Sequence, residues 1–231
     1  MTKNLHFIGI ANGLKPLYIL RECIFNPYIE QYNLYYITDS SEGMVVDFCR
    51  QNNISVIVVE AKNLKAEIEK VKKTNPEMLV SIGWSTIIPL EFLCIFKNSI
   101  NCHGGLLPDY RGNNVYMHAY ANIEKEYGST IHFMNEKFDD GNIILRAKAK
   151  LFLEETPLIM HKRICEMTAY ILPLAIQLVV SGYKGEQQTG IARYFYKIDR
   201  IEMEKLRQKN IENIRNRREK EIAQHKSWEI C

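Results

Sequence analysis

The chain has 231 residues, of which 46% are hydrophobic, and its formal net charge is only +3. This size suits one globular domain with a sizeable core, and the composition excludes a disordered protein. So small a net charge also argues against a general nucleic-acid binder.

The six cysteines are scattered along the chain without a Cys-x-x-Cys pair. This spacing indicates reduced thiols rather than a zinc site. The sequence shows neither a signal peptide nor an apolar run that we expect to cross a bilayer. It therefore predicts a cytoplasmic protein that binds neither a membrane nor a nucleic acid.

Short apolar runs alternate with amphipathic stretches through the first hundred residues. The apolar runs predict five strands, at residues 5–10, 34–38, 54–59, 78–82 and 99–102. The stretches between the first four predict helices at residues 14–25, 44–51 and 64–73. Because strands that alternate with helices imply right-handed crossovers, the predicted fold class is α/β with a Rossmann-like, mostly parallel sheet.

The pattern changes after residue 105. Gly, Pro and Asn residues predict a loop over 106–114. Two strands at 129–134 and 143–149 flank a turn over 135–142, and residues 157–180 have the periodicity of a helix that packs on the sheet.

The chain is expected to divide into a main domain over residues 1–182 and a C-terminal extension over residues 183–231. The extension combines a strand at 193–197 with a charged helix after Arg200. Its Glu, Lys and Arg residues indicate a mostly solvated helix.

A Rossmann-like sheet does not by itself imply a dinucleotide. The segment after the first strand reads Gly-Ile-Ala-Asn-Gly at residues 9–13, which lacks the G-x-G-x-x-G spacing that a pyrophosphate requires. A P-loop is absent as well, so the function must be argued from the side chains of a site.

The most informative side chains follow the fifth predicted strand. Asn101 and His103 are two residues apart, so an extended chain places both on the same face. In an open α/β sheet, ligands bind outside the carboxyl ends of the strands. Gly104 and Gly105 then let the backbone approach a ligand closely. This arrangement lets an amide and an imidazole converge on one reacting carbonyl.

Residues 101–112 read Asn-Cys-His-Gly-Gly-Leu-Leu-Pro-Asp-Tyr-Arg-Gly and resemble the formyltransferase family that uses 10-formyltetrahydrofolate. That family carries Asn-x-His followed by Leu-Leu-Pro and Arg-Gly, and later an aspartate two residues before a glycine. The second motif is matched at 138–145, after a matching strand at 128–133, and the family's folate-pocket segment is matched at 83–89. The resemblance runs from about residue 78 to residue 151.

The resemblance implies a formyltransferase fold, a catalytic domain over residues 1–182 and a catalytic centre of Asn101, His103 and Asp139. Asp140 is the rival carboxylate. The family's chemistry implies 10-formyltetrahydrofolate as co-substrate and no metal. The implied folate-binding residues are Trp84, Ser85, Thr86, Ile88, Phe138 and Asp139. The alternative to folate binding for Trp84 is a place in the hydrophobic core.

Formyl transfer to an amine passes through a tetrahedral intermediate with an oxyanion. Asn101 supplies an amide N–H to that oxygen, and protonated His103 is a second candidate donor. The attacking amine must also lose a proton to a nearby base. His103 and Asp139 are both candidates for this base, and the sequence leaves the choice open.

The family has three known acceptors. The glycinamide ribonucleotide enzyme carries a Gly/Ser-rich phosphate loop, which residues 10–14 do not resemble. The methionyl-tRNA enzyme has a further C-terminal domain, and the roughly eighty residues after Leu151 are not expected to supply one. The chain is most like the enzymes that formylate sugar nucleotides, which often dimerise through a compact extension.

The implied function is therefore formylation of a dTDP-linked 3- or 4-amino-dideoxyhexose, in O-antigen, lipopolysaccharide or other surface-polysaccharide biosynthesis, by a homodimer. Gly105, Tyr110 and Arg111 are the candidate substrate contacts, since the planar fork of Arg suits a phosphate. Gly104 and Gly105 also depart from the Pro-Ser pair of many members. The alternatives are another amine acceptor or an inactive folate- or nucleotide-binding homologue.

Overall fold

The protein is described from a computed structural model that covers residues 3–152 and 154–225. Its strands are β1 (Lys3–Ile8), β2 (Tyr32–Thr38), β3 (Ser55–Val58), β4 (Met78–Ser81), β5 (Asn98–His103), β6 (Arg111–Gly112), β7 (Glu126–Phe133), β8 (Ile143–Lys150) and β9 (Tyr194–Phe195). Its helices are α1 (Leu14–Cys23), α2 (Pro27–Glu30), α3 (Met44–Gln51), α4 (Ile68–Lys72), α5 (Leu90–Leu93), α6 (Val115–Ala121), α7 (Pro157–Val180) and α8 (Arg200–His225).

Seven of the strands form one sheet in the order β3-β2-β1-β4-β5-β7-β8. The first five are parallel, and β7 and β8 extend the sheet in antiparallel fashion. The predicted α/β class with a mostly parallel sheet is therefore confirmed. The strand order reverses between β1 and β4, and such a switch point opens a crevice at the carboxyl ends of the strands.

The core lies on both faces of this sheet because successive strand residues point to opposite sides. Leu5 and Phe7 of β1 pack in one cluster with α1, α3 and α7, whereas Ile8 packs in a second cluster with Phe92 of α5. All four side chains are fully buried. The burial of both faces explains why the parallel strands read as continuous apolar runs.

Helix α7 closes one face of the sheet. Pro157 occupies its first turn, and the Thr156 hydroxyl caps it by accepting the N–H of Ile159. The helix is long and apolar enough to cross a membrane by length and composition, a test that a mostly buried core helix also passes. Charges interrupt only its first part, and half of its apolar window is buried where it packs against α1, β7 and β8.

Several short elements were not predicted. Helices α2, α5 and α6 have 4, 4 and 7 residues, which is too short for a clear hydrophobic period. The predicted helix at 64–73 is instead a 3-10 turn at Leu64–Glu67 followed by α4. Strand β7 begins earlier than predicted, at Glu126, which pairs with Lys150 of β8 in the antiparallel ladder.

The described part of the expected extension folds back on the main body. Strand β9 pairs in parallel with β6, which lies inside the predicted loop at 106–114. The first half of α8 packs on α6 through the buried Met203 and Arg207, and most of residues 211–220 are exposed. Residues 226–231 of the extension lie outside the described residues.

Candidate active site

The first half of the site lies at the carboxyl end of β5. Asn101 and His103 are two residues apart on this strand, so their side chains share one face of the sheet. The antiparallel neighbour β7 places His132 directly opposite Asn101 and Thr130 opposite His103. Strand pairing therefore brings a second imidazole beside the two predicted residues.

Asp139 completes the cluster from the turn between β7 and β8. Its Oδ1 lies 3.4 Å from Nδ1 of His103 and 3.4 Å from Nε2 of His132, and the Asn101 amide donates to the same oxygen over 3.3 Å. The other carboxylate oxygen accepts the backbone N–H of Gly112 at 2.9 Å. The four side chains form one polar cluster, in which only Asn101 is half-exposed and the others are buried.

The neighbouring carboxylate points elsewhere. Asp140 accepts a hydrogen bond from Nη1 of Arg111 at 2.6 Å. Asp139 has a φ of 50°, a left-handed conformation that is uncommon outside glycine. Of the two aspartates that the sequence left open, Asp139 is the one that faces the histidines.

Burial and charge set the ionisation of the cluster. Burial by itself raises the pKa of Asp139, but His103, His132 and the Gly112 N–H together hold that pKa well below its usual range. Burial lowers the pKa of His103, and the charge of Asp139 opposes this shift. The cluster thus holds an ionised carboxylate beside the buried His103. The charge of that carboxylate stabilises the protonated form of His103.

The hydrogen-bond partners also fix the proton positions on the two rings. Nε2 of His103 faces the carbonyl oxygen of Tyr110, which can only accept, so this nitrogen carries a proton. In His132, Nδ1 faces the Phe133 carbonyl at 2.8 Å, and Nε2 lies 3.2 Å from the Asn101 amide nitrogen and 3.4 Å from Oδ1 of Asp139. A proton taken up by His103 therefore lies at Nδ1, between the imidazole and Asp139.

Comparison with known proteins assigns this arrangement to a family. A model of the family described as "Formyl transferase" matches residues 29–176, which is more than half of the chain and includes the whole cluster. The chain belongs to the formyl transferase family.

Curated relatives in this family act on different acceptors. A methionyl-tRNA formyltransferase from Fusobacterium nucleatum is 30% identical over 139 residues, covering 60% of this chain and 45% of that protein. A phosphoribosylglycinamide formyltransferase from Haemophilus influenzae is 36% identical over 107 residues, covering 46% of this chain and 50% of that protein. The chain spans about half the length of these curated relatives.

A solved structure represents a third type of formyltransferase. A sugar N-formyltransferase from Shewanella sp. FDAARGOS_354 is 25% identical, with a TM-score of 0.63 over 84% of this chain and 76% of that one. The predicted formyltransferase fold is therefore confirmed.

His132 is the member of the cluster that sequence reasoning missed. The segment at 128–133 was interpreted only as a family strand ahead of the aspartate. The signal for His132 is its place on a strand next to β5, but only the pairing register shows that it faces Asn101.

The segment after β4, expected to bind folate, has a mixed character. Ser85 and Thr86 are exposed, and Trp84 is half-buried with a buried Nε1 that has no hydrogen-bond partner. Phe138 is exposed beside Asp139. Ile88 is different, because its side chain is buried in the second core cluster and packs there instead of facing an open pocket.

Arg111, a candidate phosphate contact, makes several bonds inside the protein. Its guanidinium is buried, and besides Asp140 it donates to the Tyr194 hydroxyl and the Gln188 side-chain oxygen, both at 2.7 Å. These partners use Nη1 and Nη2, whereas the buried Nε has no hydrogen-bond partner among the described residues. Arg111 fastens the loop before α6 to the segment that contains β9.

Tyr110 is also used inside the protein. Its hydroxyl donates to Glu124 at 2.6 Å, and its ring stacks on Phe195 with centroids 4.7 Å apart. Tyr110 also borders a cavity, so its predicted contact to a sugar or diphosphate stays a prediction.

This cavity has a volume of about 700 Å³ and lies beside Gly104, Gly105 and Tyr110. A Cβ at Gly105 would stand 2.9 Å from Nε2 of His103 and 2.6 Å from Val115, so a glycine is required there by close packing. Within residues 3–152 and 154–225, no group of three or more His, Cys, Asp or Glu side chains is arranged to hold a metal ion.

Proposed function

We propose that the protein transfers a formyl group from 10-formyltetrahydrofolate to the amine of a sugar nucleotide. The observation that carries the transfer chemistry is the convergence of Asn101, His103 and Asp139 at the carboxyl end of β5. Membership of the formyl transferase family supports the same chemistry.

In this proposal, the acceptor nitrogen attacks the formyl carbon, a new carbon–nitrogen bond forms, and the bond from that carbon to the folate nitrogen breaks. Asn101 is the half-exposed member of the cluster, so its amide is the proposed donor to the formyl oxygen as negative charge develops. To make that bond, one N–H of the amide turns away from Asp139 or His132. Loss of such a donor costs on the order of a hundredfold or more in rate.

The His103–Asp139 pair accepts the proton of the attacking amine and returns it to the departing folate nitrogen. The lone pair at Nδ1 of His103 faces Asp139, so the carboxylate stabilises the imidazolium that forms on His103. We therefore assign the base role to the pair and not to either residue alone.

The folate is proposed to lie over the segment after β4 and the turn at Phe138. Ser85, Thr86 and Phe138 are exposed there, and the unpartnered Nε1 of Trp84 suits an acceptor atom of a ligand. This placement follows the rule that ligands bind outside the carboxyl ends of parallel strands.

A dTDP-linked 3- or 4-amino-dideoxyhexose is the proposed acceptor, which implies a cytoplasmic step of surface-polysaccharide synthesis. It is supported by the likeness to the Shewanella sugar N-formyltransferase, and by residues 10–14, which do not resemble a Gly/Ser-rich phosphate loop. The alternative acceptors are methionyl-tRNA and glycinamide ribonucleotide, and the identities to the Fusobacterium and Haemophilus enzymes favour them.

The test incubates the purified chain and 10-formyltetrahydrofolate with each of a panel of acceptors. The rate of tetrahydrofolate release is measured for each one. We expect turnover with dTDP-3-amino or dTDP-4-amino sugars and none with glycinamide ribonucleotide or methionyl-tRNA. Turnover with only one of the latter two would replace the proposed acceptor. Folate binding without turnover on any amine would identify an inactive homologue.

A further inference from the structure

A lysine from another element supports the carboxyl end of β5. Lys15 lies in the first turn of α1, and its Nζ donates to the backbone carbonyl of Cys102 at 2.5 Å. Cys102 stands between Asn101, the proposed donor to the formyl oxygen, and His103, a member of the proposed base. A cation from a distant part of the chain therefore holds the peptide segment that joins these two residues.

The Cys102 carbonyl needs a donor of this kind because the neighbouring strand has ended. The Ser99 carbonyl accepts the Met134 N–H at the end of β7, so Ser99 and every second residue after it bond towards β7. The Cys102 carbonyl therefore points to the other side, towards β4, and β4 ends at Ser81. Lys15 supplies a hydrogen bond where the strand no longer does.

The stem of Lys15 reaches this carbonyl past the carboxyl end of β4. A Cβ on Gly83 would stand 3.9 Å from Cδ of Lys15 and 3.3 Å from Cδ of Pro16. Gly83 has a φ of 116°, a conformation that favours glycine, so the backbone turns beside the lysine stem. The half-buried Lys15 side chain thus joins α1 to the ends of β4 and β5, next to the switch point of the sheet.

The position of this cation is not explained by the stability of α1. A positive charge near the N-terminus of a helix is unfavourable, because it lies at the positive end of the macrodipole. The first turn of α1 holds no acidic residue. Among the residues that the structure describes, no carboxylate lies within ion-pair distance of Nζ of Lys15. The Cys102 carbonyl is therefore the group that this charge serves.

Three charged or titratable side chains act on His103 from different elements. Asp139 lies 3.4 Å from Nδ1 of His103, and the His132 ring on β7 lies 6.4 Å from the His103 ring, centroid to centroid. Nζ of Lys15 is bonded to the carbonyl of the peptide group whose nitrogen belongs to His103. Burial lowers the pKa of His103, Asp139 raises it, and His132 and Lys15 lower it further.

The other elements that pack against β5 are α7 and β4. The titratable side chains of α7 near Lys15 are His161 and Cys165. Burial lowers the pKa of His161 and raises that of Cys165 to about 11, so both are neutral near pH 7. Strand β4 reads Met-Leu-Val-Ser and has no titratable side chain. Asp139 and Lys15 are thus the two full charges that act on His103 in opposite directions.

We propose that Lys15 is a positioning residue of the formyl-transfer centre, which fixes the peptide group between Cys102 and His103 and places a positive charge next to it. This inference rests on the proposed function and adds to it a residue that acts through the Cys102 carbonyl. The hydrogen bond holds His103 in line with Asn101. The charge opposes protonation of the imidazole and so keeps His103 available as a base.

The test compares K15M and K15R with the unmodified chain in two measurements. The first is an NMR titration of the His103 ring protons, which are assigned by their loss in His103→Asn. We expect the pKa of His103 to rise in K15M, because a nearby cation has been removed, and to stay unchanged in K15R. Lys15→Gln also removes the charge and should raise this pKa as K15M does, so the titration does not depend on one variant.

The second measurement is kcat as a function of pH, with the acceptor that the panel identifies. K15M should lower kcat about tenfold or more, because a small misplacement of catalytic groups has effects of this size, while KM for the acceptor stays within a few-fold. A higher pKa of the base moves the acidic limb of the profile to higher pH. K15R should restore most of kcat and the position of the limb.

Lys73→Met is the matched control, because Lys73 is an exposed lysine at the end of α4. It should change neither measurement, and thermal unfolding shows whether each variant is folded. An unchanged pKa of His103 in both K15M and Lys15→Gln would overturn the inference. So would a kcat of K15M within a few-fold of the unmodified chain, or a K15R variant that behaves like K15M.

The two measurements separate this inference from the proposed function. A rise in the pKa of His103 in K15M, without formyl transfer to any amine, leaves the action of Lys15 on His103 standing and removes the proposed activity. Formyl transfer that is equally fast in K15M, with an unchanged pKa of His103, does the reverse.

Discussion

Asp139 organises the site at the scale of single residues. One of its oxygens serves Asn101, His103 and His132, and the other binds the Gly112 N–H. Asp140 is adjacent in sequence but pairs with Arg111. The two carboxylates therefore provide a matched pair for mutation, since each substitution changes the same chemical group by the same amount.

We expect Asp139→Asn to lower turnover at least about a hundredfold, because the imidazolium of His103 loses the charge that stabilises it. Asp140→Asn should keep turnover within a few-fold. Steady-state kinetics on both variants, with thermal unfolding to confirm folding, is the measurement. Equal losses in the two variants would show that the centre was assigned wrongly.

The pH dependence of turnover tests the role of His103. As a base it must be unprotonated, so turnover rises with pH through its pKa and then levels off. Burial lowers that pKa, so the plateau should begin below the ordinary histidine range. Asp139 raises the pKa of His103, so the residual activity of Asp139→Asn should show its acidic limb at still lower pH. A rate that instead falls as pH rises through this range would mean that His103 acts as a protonated donor.

The spacing of Asn101 and His103 was sufficient to predict that they share a face, and the structure has them so. The choice of Asp139 required the family motif, since nothing in the sequence separates it from Asp140. The internal bonds of Arg111 could not be predicted, because a sequence does not show which side chains fold against a guanidinium. His132 was missed because its partner is set by the register of a non-local strand pair.

At the scale of elements, the turn that carries Asp139 is held by a segment from far along the chain. The Gln188 amide donates to the carbonyls of Asp139 and Gly141, at 2.8 and 2.9 Å, and its oxygen accepts from Arg111. Strand β9, which follows this segment, pairs with β6. The geometry of the turn that carries Asp139 therefore depends on a segment outside the seven-stranded sheet.

Gln188→Ala removes these bonds and should lower the free energy of unfolding by about 1–3 kcal/mol, with a loss of turnover as the turn loosens. Gln187→Ala is the control, because that side chain is exposed. Denaturant unfolding and kinetics on both variants are the measurements. Unchanged turnover in Gln188→Ala would mean that the turn keeps its shape without this anchor.

Helices and strands could be predicted from the sequence where a local hydrophobic pattern marks them. The five parallel strands follow from apolar runs that are buried on both faces. The ribbon of β6 and β9 has two residues in each strand and joins distant parts of the chain, so no local pattern indicates it. The same is true of the short helices, whose formation depends on tertiary packing.

At the scale of the whole molecule, α8 connects the extension to the body through its first half. Arg207 donates to the Tyr120 carbonyl at 2.6 Å and lies over the Tyr120 ring at 3.8 Å, and Asn210 donates to the Ala121 carbonyl at 2.9 Å. Met203 is buried against the same region. Residues 212–220 of α8 are exposed.

A chain that ends after residue 210 should therefore keep its melting temperature nearly unchanged. A chain that ends after residue 199 should melt about 5 °C lower or more, because it loses the buried Met203 and the hydrogen bonds to the end of α6. Differential scanning calorimetry distinguishes them, and light scattering on the same samples tests the predicted homodimer. Equal melting temperatures would show that α8 does not stabilise the body.

The anchoring of the catalytic turn by Gln188 has a consequence for synthesis on the ribosome. Gln188 is translated 49 residues after Asp139, and the last sheet strand and the whole of α7 come between them. A nascent chain can complete its parallel sheet before the carboxylate has its final support. Assembly of the working centre is thus a late event in translation, well after the strand that carries Asn101 and His103 has left the exit tunnel.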